Sequence, residues 1–281
     1  EKNKIPYMIN AAVTEITKEK KITVVAQDGM HEIEAKAVIL AMGCRERSRG
    51  ALGIPGERPA GVFTAGTAQA YMNLYNRMPA KEVVILGSGD IGMIMARRLT
   101  LEGAHVQAVF EIMSHPSGLP RNIIQCLDDY NIPLYLSHTV TEIHGDARLT
   151  GVTVSEVDEH LQPIPGTEKE LDVDTICIAV GLTPMSQLAS NATCNMELIP
   201  QKGGHVALLS EYGETSVSGI YCAGDVAGIE EASSAMIQGR SVASHVSMKA
   251  GYLTEAEFEE KYTGYQEALG QLRQGMFAPK N

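Results

Sequence analysis

The chain has 281 residues, a length that fits one large domain or two ordinary ones. Hydrophobic residues make up 44% of it and the mean hydropathy is -0.05, so it can bury a core and global disorder is not expected. The net charge of -11 argues against a nucleic-acid or anionic-membrane surface. No apolar run approaches the ~18 residues that a membrane span requires.

The five cysteines are scattered along the chain, and none forms a Cys-x-x-Cys pair. This spacing indicates neither a zinc ribbon nor a local redox dithiol, and no metal site is predicted. No signal peptide is visible. Together these features favour a reduced, cytoplasmic protein.

The first part of the chain predicts a small hairpin followed by a buried strand. Residues 9–36 read as three short strands separated by polar turns. Residues 37–43 then form an apolar run that ends in Ala41-x-Gly43. The next stretch, 45–59, is rich in Arg, Gly and Pro and predicts an irregular crossover.

A glycine turn follows a helix predicted over Ala65–Tyr75. Residues 83–86 suit a strand buried on both faces, and glycines at 87, 89 and 92 complete the pattern G-x-G-x-x-G. The first glycine permits a tight turn, the second lets a pyrophosphate approach the backbone, and the third lets the next helix pack close to the sheet. Residues 93–102 supply that helix, whose amino end would face the diphosphate.

The next strand, predicted over residues 105–111, ends in an acid. Glu111 follows Gly92 by 19 residues, close to the spacing at which a carboxylate binds a ribose 2′-hydroxyl. Because a carboxylate repels a 2′-phosphate, the prediction is NAD(H) rather than NADP(H). A helix over 119–130 and a third strand over 132–136 complete a β-α-β-α-β half.

The sequence contains an internal repeat. Residues 140–143 repeat the Val-Thr-Glu-Ile of residues 13–16, and in both places a hairpin leads to an apolar strand that ends in Ala-x-Gly, the second time at 179–181. The matching order predicts an internal duplication. Since a glycine turn precedes the second copy, we expect the first copy to have had its own, before residue 1. The chain is therefore expected to be a fragment that lacks a strand-turn-helix unit.

The last part of the chain carries a second glycine motif. Residues 219–225 read Gly-Ile-Tyr-Cys-Ala-Gly-Asp, and residues 232–250 predict a helix with small side chains spaced for close packing. The polar tail over 255–275 is helical in composition and is expected to dock on the body of the protein or on a partner.

Three cysteines and one histidine are of residue types that can take part in catalysis. For each of them we predict no catalytic role. Cys177 and Cys222 lie in apolar runs and are predicted to be packing residues. Cys44 follows a glycine and is predicted to be an inert thiol. His245 is predicted to be a core or surface histidine rather than a proton donor.

The motifs at 41–43, 87–92, 179–181 and 223–225, in this order, resemble the two-dinucleotide flavoprotein oxidoreductases of the pyridine nucleotide-disulfide reductase type. The resemblance covers residues 9–250. It implies an α/β fold of two Rossmann-like domains, in which an NAD domain is inserted into an FAD domain that is incomplete here. The implied ranges are 1–78 for the truncated FAD part, 79–188 for the NAD domain, 189–250 for the FAD return segment and 251–281 for a helical tail.

The resemblance also assigns cofactor residues, although no catalytic residue. Asp225 would hydrogen-bond a ribitol hydroxyl of FAD, and the helix that begins near Glu231 would point its amino end at the flavin. The residues assigned to FAD are Ala41, Gly43, Gly224, Asp225, Glu231 and Ala232. Those assigned to NAD are Gly87, Ser88, Gly89, Asp90, Ile91, Gly92, Glu111, Val180 and Gly181.

Residues 43–47 (Gly-Cys-Arg-Glu-Arg) and 64–69 (Thr-Ala-Gly-Thr-Ala-Gln) resemble the branch that contains the alpha subunits of sarcosine and opine oxidases. This branch implies that the partner is a second oxidase or dehydrogenase subunit, besides a small-molecule substrate or electron acceptor; a homodimer is the alternative assembly. The sequence departs from the family in lacking the FAD glycine turn and a cysteine pair, so this chain alone is not expected to hold FAD tightly.

The predicted function is an FAD-dependent oxidoreductase that transfers hydride between NAD(H) and flavin without a local redox dithiol. Two alternatives stay open. One is a non-catalytic nucleotide-binding subunit of an amine- or opine-oxidising complex. The other is a thioredoxin reductase-like enzyme whose cysteine pair lies upstream.

Overall fold

The computed structural model describes residues 5–274. The chain forms two compact units. The continuous unit is Glu46–Gly181, and the discontinuous unit is Glu1–Arg45 together with Leu182–Asn281. Among the described residues, no helix is both long and apolar enough to span a membrane.

Both units contain strands and helices. The strands are β1 (Ala12–Ile16), β2 (Lys21–Ala26), β3 (Gly29–Glu34), β4 (Val38–Leu40), β5 (Cys44–Glu46), β6 (Val62–Thr64), β7 (Glu82–Leu86), β8 (His105–Glu111), β9 (Leu134–Leu136), β10 (His138–His144), β11 (Gly151–Glu156), β12 (Lys169–Leu171), β13 (Thr175–Ile178), β14 (Leu182–Pro184), β15 (Met196–Ile199), β16 (Gly204–Ala207) and β17 (Ile220–Cys222). The helices are α1 (Arg49–Leu52), α2 (Ala65–Tyr75), α3 (Asp90–Leu101), α4 (Pro120–Cys126), α5 (Gln187–Asn191), α6 (Ala232–Lys249) and α7 (Glu255–Leu272).

The continuous unit is built on a five-stranded parallel sheet in the order β6-β13-β7-β8-β9. Helices α2, α3 and α4 pack on one face, and the β10-β11-β12 hairpin covers the other. Because both faces are covered, β7 is apolar along most of its length: Val83, Val84 and Ile85 are each 0% exposed. The predicted buried strand is thus the centre of this sheet's core.

The division between the units differs from the ranges proposed from sequence. The structure divides the chain at 45/46 and 181/182, whereas the motifs suggested 78/79 and 188/189. The reason is that β6 pairs with β13, and Ala65, Ala68 and Met72 of α2 join the core beneath α3. The segment before the glycine turn therefore folds with it.

The crossover predicted as irregular contains a short helix. Helix α1 ends at Gly53, whose φ of 64° is the left-handed conformation that closes many helices. The guanidinium of Arg49 donates to the carbonyl oxygens of Ile54 at 3.2 Å and Gly56 at 2.7 Å. The sequence did not predict this helix, because the segment is rich in glycine and proline. The hydrogen bonds of Arg49, rather than a periodic apolar pattern, organise it.

The discontinuous unit has smaller sheets. β4 and β17 pair in parallel, β15 pairs antiparallel with β16, and β5 pairs with β14. The β1-β2-β3 hairpin is antiparallel throughout, as predicted. Helices α6 and α7 pack on each other, and α7 begins with a capping box between Thr254 and Glu257.

Candidate dinucleotide-binding sites

The three glycines of the turn after β7 meet different surroundings. Gly87 has a φ of 106°, and a Cβ built on it would lie 2.4 Å from the carbonyl oxygen of Ala179. A Cβ on Gly92 would lie 2.1 Å from the Gly87 carbonyl oxygen and 3.2 Å from the Ala179 Cβ. A Cβ on Gly89 has only the Ser117 Oγ within 4 Å, at 3.8 Å. Packing therefore requires glycine at 87 and 92, whereas Gly89 has space beside it at the amino end of α3, bordered by the Ser117 hydroxyl.

Helix α3 presents its amino end beside that space. Gly89 is its N-cap residue with an extended backbone, and no side chain caps the helix there. The first amide groups of a helix and its dipole favour a bound anion. Ile91 in the first turn is 51% exposed, while Ser88 is fully buried. The open space and the helix end are the arrangement that a diphosphate requires.

Glu111 lies under the glycine turn, and its carboxylate is fully engaged. Its Oε2 accepts the Ser88 amide at 3.0 Å, the Ser88 hydroxyl at 2.6 Å and the Ser117 hydroxyl at 3.2 Å. Its Oε1 accepts the Met113 amide at 3.0 Å. Burial by itself would raise the pKa of Glu111, but these hydrogen bonds outweigh it and lower the pKa. The site therefore holds an ionised carboxylate that is only 5% exposed.

The segment after β8 is tied to the same turn, which the sequence did not predict. Asp90 Oδ1 accepts the Leu119 amide at 2.8 Å and the Asn122 side-chain amide at 2.6 Å. The Gly118 amide donates to the Ser88 carbonyl oxygen at 3.1 Å. A Cβ on Gly118 would come within 2.8 Å of the Asp90 nitrogen, so only glycine permits this approach. Asp90 thus faces the neighbouring loop rather than the open space.

Val180 and Gly181 lie at the carboxyl end of β13, next to that of β7. The Ala179 amide donates to the Leu86 carbonyl oxygen at 2.8 Å, and Gly181 has a φ of 101°. Ligands of open α/β sheets bind at the carboxyl ends of the strands. The structure brings these two residues to the same sheet edge as the glycine turn.

A second cluster lies in the discontinuous unit, at the carboxyl ends of β4 and β17. The Ala223 amide donates to the Leu40 carbonyl oxygen at 3.0 Å, so the segment 41–43 and the turn at 224–225 follow two paired strands. The Asp225 Oδ2 accepts a hydrogen bond from the Cys44 Sγ at 3.1 Å. This thiol contact was not foreseen, because the two residues are 181 positions apart.

The amino end of α6 follows that turn. Glu231 is the N-cap residue with an extended backbone, Ala232 is the first helical residue, and both are exposed. The Gly224 amide donates to the side-chain oxygen of Gln238 at 2.9 Å. Sequence reasoning missed Gln238, which stands between Ile237 and Gly239 in no recognisable motif.

Cys177, Cys222 and His245 are core residues, as expected. Cys177 and Cys222 are 0% and 2% exposed, and burial raises the pKa of each to about 12. His245 is 3% exposed and stacks on Tyr212 with 4.6 Å between ring centroids. Burial lowers the pKa of His245, and its Nδ1 has no hydrogen-bond partner among the described residues.

The glycine turn after β7 and the paired ends of β4 and β17 are the two candidate dinucleotide-binding sites of this α/β fold. Residues 1–239 match the pyridine nucleotide-disulphide oxidoreductase family, and the chain belongs to that family. The resemblance drawn from the motifs is thereby confirmed at the level of the family, whose members use FAD and NAD(P).

Two curated relatives are named as parts of larger enzymes. The chain is 28% identical over 268 residues to hydrogen cyanide synthase subunit HcnB of Pseudomonas aeruginosa, covering 88% of this chain and 56% of HcnB. It is 25% identical over 219 residues to an opine oxidase subunit of Agrobacterium tumefaciens, covering 75% of this chain and 43% of that relative. The chain thus spans about half the length of these relatives.

Among solved structures, thioredoxin reductase of T. acidophilum superposes with a TM-score of 0.66 at 25% identity. The match covers 85% of this chain and 74% of the reductase. This agreement confirms an α/β fold with a parallel sheet.

Proposed function

We propose that this chain contains the NAD domain and part of the FAD domain of an oxidoreductase that passes hydride between NAD(H) and FAD. The observation that carries the proposal is the division of roles among the three glycines. Gly87 and Gly92 have no room for a Cβ, whereas a Cβ on Gly89, at a helix amino end, would meet only the Ser117 Oγ at 3.8 Å. When bound, the two cofactors supply the hydride chemistry, at nicotinamide C4 and flavin N5.

The protein's own contribution at the first site is position and charge. The amides at the start of α3 would hold the diphosphate, and Val180 and Gly181 would line the adjoining sheet edge. The ionised Glu111 would disfavour a 2′-phosphate by like-charge repulsion. The preference for NAD(H) over NADP(H) rests on this carboxylate.

At the second site, Asp225 would bind the ribitol of FAD, with Ala41, Gly43 and Gly224 shaping the backbone around it. Glu231 and Ala232 would bring the amino end of α6 to the flavin. Ala41 is exposed, whereas its counterpart Ala179 lies against Gly87 and Gly92.

The test is a spectrum of the intact protein. We expect the visible absorbance of oxidised flavin, and we expect NADH to bleach it when oxygen is absent. NADPH should bleach it at least tenfold less efficiently, because the charge repulsion between Glu111 and the 2′-phosphate should cost about 1.4 kcal/mol. Protein that carries no flavin, or flavin that NADH leaves oxidised, would contradict the proposal.

A second candidate is a nucleotide-binding subunit without turnover of its own. It is favoured by the two relatives, which are named as subunits. Purification of the intact protein with a stoichiometric partner that is required for activity would support it. Full NADH turnover by the isolated chain would contradict it.

The third candidate is a thioredoxin reductase-like enzyme, favoured by the structural match. No disulfide joins cysteines of the described residues. This candidate therefore requires a cysteine pair in sequence outside this chain, which thiol titration of the full-length protein before and after reduction would detect.

A further inference from the structure

A hydrogen-bonded network links the end of α7 to the turn at Gly224. Arg273 donates from Nε to the Oε2 of Glu230 at 3.0 Å and from Nη2 to its Oε1 at 2.7 Å. Gln238 donates from Nε2 to the same Oε1 at 3.2 Å. The Oε1 of Gln238 accepts the Gly224 amide at 2.9 Å. Residues from three separate segments therefore form one continuous network.

The geometry of this network fixes the orientation of the Gln238 amide. A carboxylate only accepts hydrogen bonds, so the NH₂ group of Gln238 must face Glu230 and its oxygen must face Gly224. Arg273 holds that carboxylate by a two-point contact, which is more directional than a single ion pair. The Glu230 side chain is only 18% exposed, so solvent competes little for it.

The Gly224 amide needs this acceptor. Gly224 is buried, has a φ of 74°, and a Cβ on it would lie 3.3 Å from the Ala235 Cβ on α6. A buried amide without an acceptor is costly, so the turn depends on the side chain of Gln238 for its conformation. Asp225, which follows directly, is presented by that turn.

Helix α7 is held independently of Arg273. Near its amino end, Phe258 lies against His245 and Tyr212, with ring centroids 5.4 and 5.5 Å apart, and Tyr262 lies 5.1 Å from Tyr212. Phe258 is 1% exposed. Removal of the Arg273 side chain therefore leaves the main packing contact of α7 intact.

We propose that Arg273 is a positioning residue for the flavin-contact turn: it orients Glu230, and through Gln238 it fixes the Gly224 amide. The proposal rests on the proposed function in one respect, namely that Asp225 contacts FAD. The tail helix is then a structural support of the cofactor site rather than an appendage.

The test compares R273A, R273K and Q238L with R240A, a control that removes another exposed arginine of the discontinuous unit. Hydrogen exchange at Gly224 and the Kd for FAD are measured on the intact protein. We expect R273A and Q238L each to speed exchange at Gly224 about tenfold and to weaken FAD binding about three- to thirtyfold. R273K keeps the positive charge but loses the two-point contact with Glu230. Its exchange rate at Gly224 and its Kd for FAD should therefore lie between those of R273A and the unaltered protein. R240A matches the unaltered protein.

A double variant gives a more decisive test. Because both residues act through one hydrogen bond to Gly224, R273A/Q238L should bind FAD no more weakly than Q238L alone. Additive losses, or unchanged exchange at Gly224 in R273A, would overturn the positioning role. If the unaltered protein binds no flavin but R273A still speeds exchange at Gly224, the proposed function has failed. The role of Arg273 toward flavin would then fall with it.

Discussion

The two copies of the repeat share their local structure closely. In β1 the ladder skips Thr14 between Val13 and Glu15, and in β10 it skips Thr141 at the same place in the tetrapeptide. Both threonine hydroxyls donate to a carbonyl oxygen across the hairpin, that of Thr23 at 3.4 Å and that of Thr153 at 3.3 Å. The same four residues thus form the same β-bulge twice.

The copies differ in what covers them. Val13 is 41% exposed, whereas its counterpart Val140 is 3% exposed. In the strands that follow, Ile39 is 40% exposed, whereas its counterpart Cys177 is fully buried. The second copy packs on a five-stranded sheet and under a glycine turn, and the first has neither among the described residues. Local sequence therefore determines the bulge, while neighbouring elements determine burial.

The glycine turn over the second copy should be the most sensitive point. We expect G92A to destabilise the protein by about 2–4 kcal/mol, because its Cβ would overlap the Gly87 carbonyl oxygen and press on Ala179. The matched control is G264A on α7, where a Cβ meets nothing within 4 Å, and which should shift stability by less than about 1 kcal/mol. Urea unfolding followed by circular dichroism measures both. Equal effects would show that the turn is not packed on β13.

The difference in burial between Val13 and Val140 predicts that substitution by alanine has unequal effects on stability at the two positions. V140A should cost about 2 kcal/mol, because it removes two buried methyl groups, while V13A should change the free energy of unfolding by less than about 0.5 kcal/mol. Unfolding of the two variants under identical conditions measures the difference. A loss for V13A as large as that for V140A would break the comparison, since it would mean that the first hairpin is covered in solution.

The shared bulge predicts equal effects. T14V and T141V keep the side-chain shape but remove the hydroxyl donor, so each should cost about 0.5–1 kcal/mol. The urea midpoints of the two variants, each compared with that of the unaltered protein, measure this. A loss confined to T141V would show that the bulge is held by the surrounding core rather than by the tetrapeptide.

The smallest effect concerns pH and belongs to the glycine turn that precedes the second copy. The pKa of Glu111 is lowered from its usual 4.5, so the unfolded state takes up this proton first as the pH falls. The stability due to Glu111 is therefore fully present above pH 4.5 and is lost as the pH falls further, through the folded-state pKa. E111Q should show a shallower loss of stability below pH 4.5 than the unaltered protein. Parallel acid-unfolding curves would contradict this expectation.

Much of the local structure could be predicted from the residues. The helix Ala65–Tyr75 and the strand His105–Glu111 have the bounds that their patterns predicted, and α6 starts at Ala232 as expected. Apolar runs, glycines and caps act over a few residues, so they are visible in the sequence. Strand ends were less accurate: residues 132–136 were predicted as a strand, of which only Leu134–Leu136 pairs with β8.

The sequence by itself determined the glycine turn with its strand, helix and acid, the repeated hairpin and the family. The tertiary structure alone decided that residues 46–78 fold with the glycine turn, that Ser88 and Ser117 occupy the Glu111 carboxylate, and that Arg273 reaches Glu230 across 43 positions. The physical reason is range. Backbone preferences and hydrophobic periodicity act between near neighbours, whereas these contacts join side chains that only the folded chain brings together.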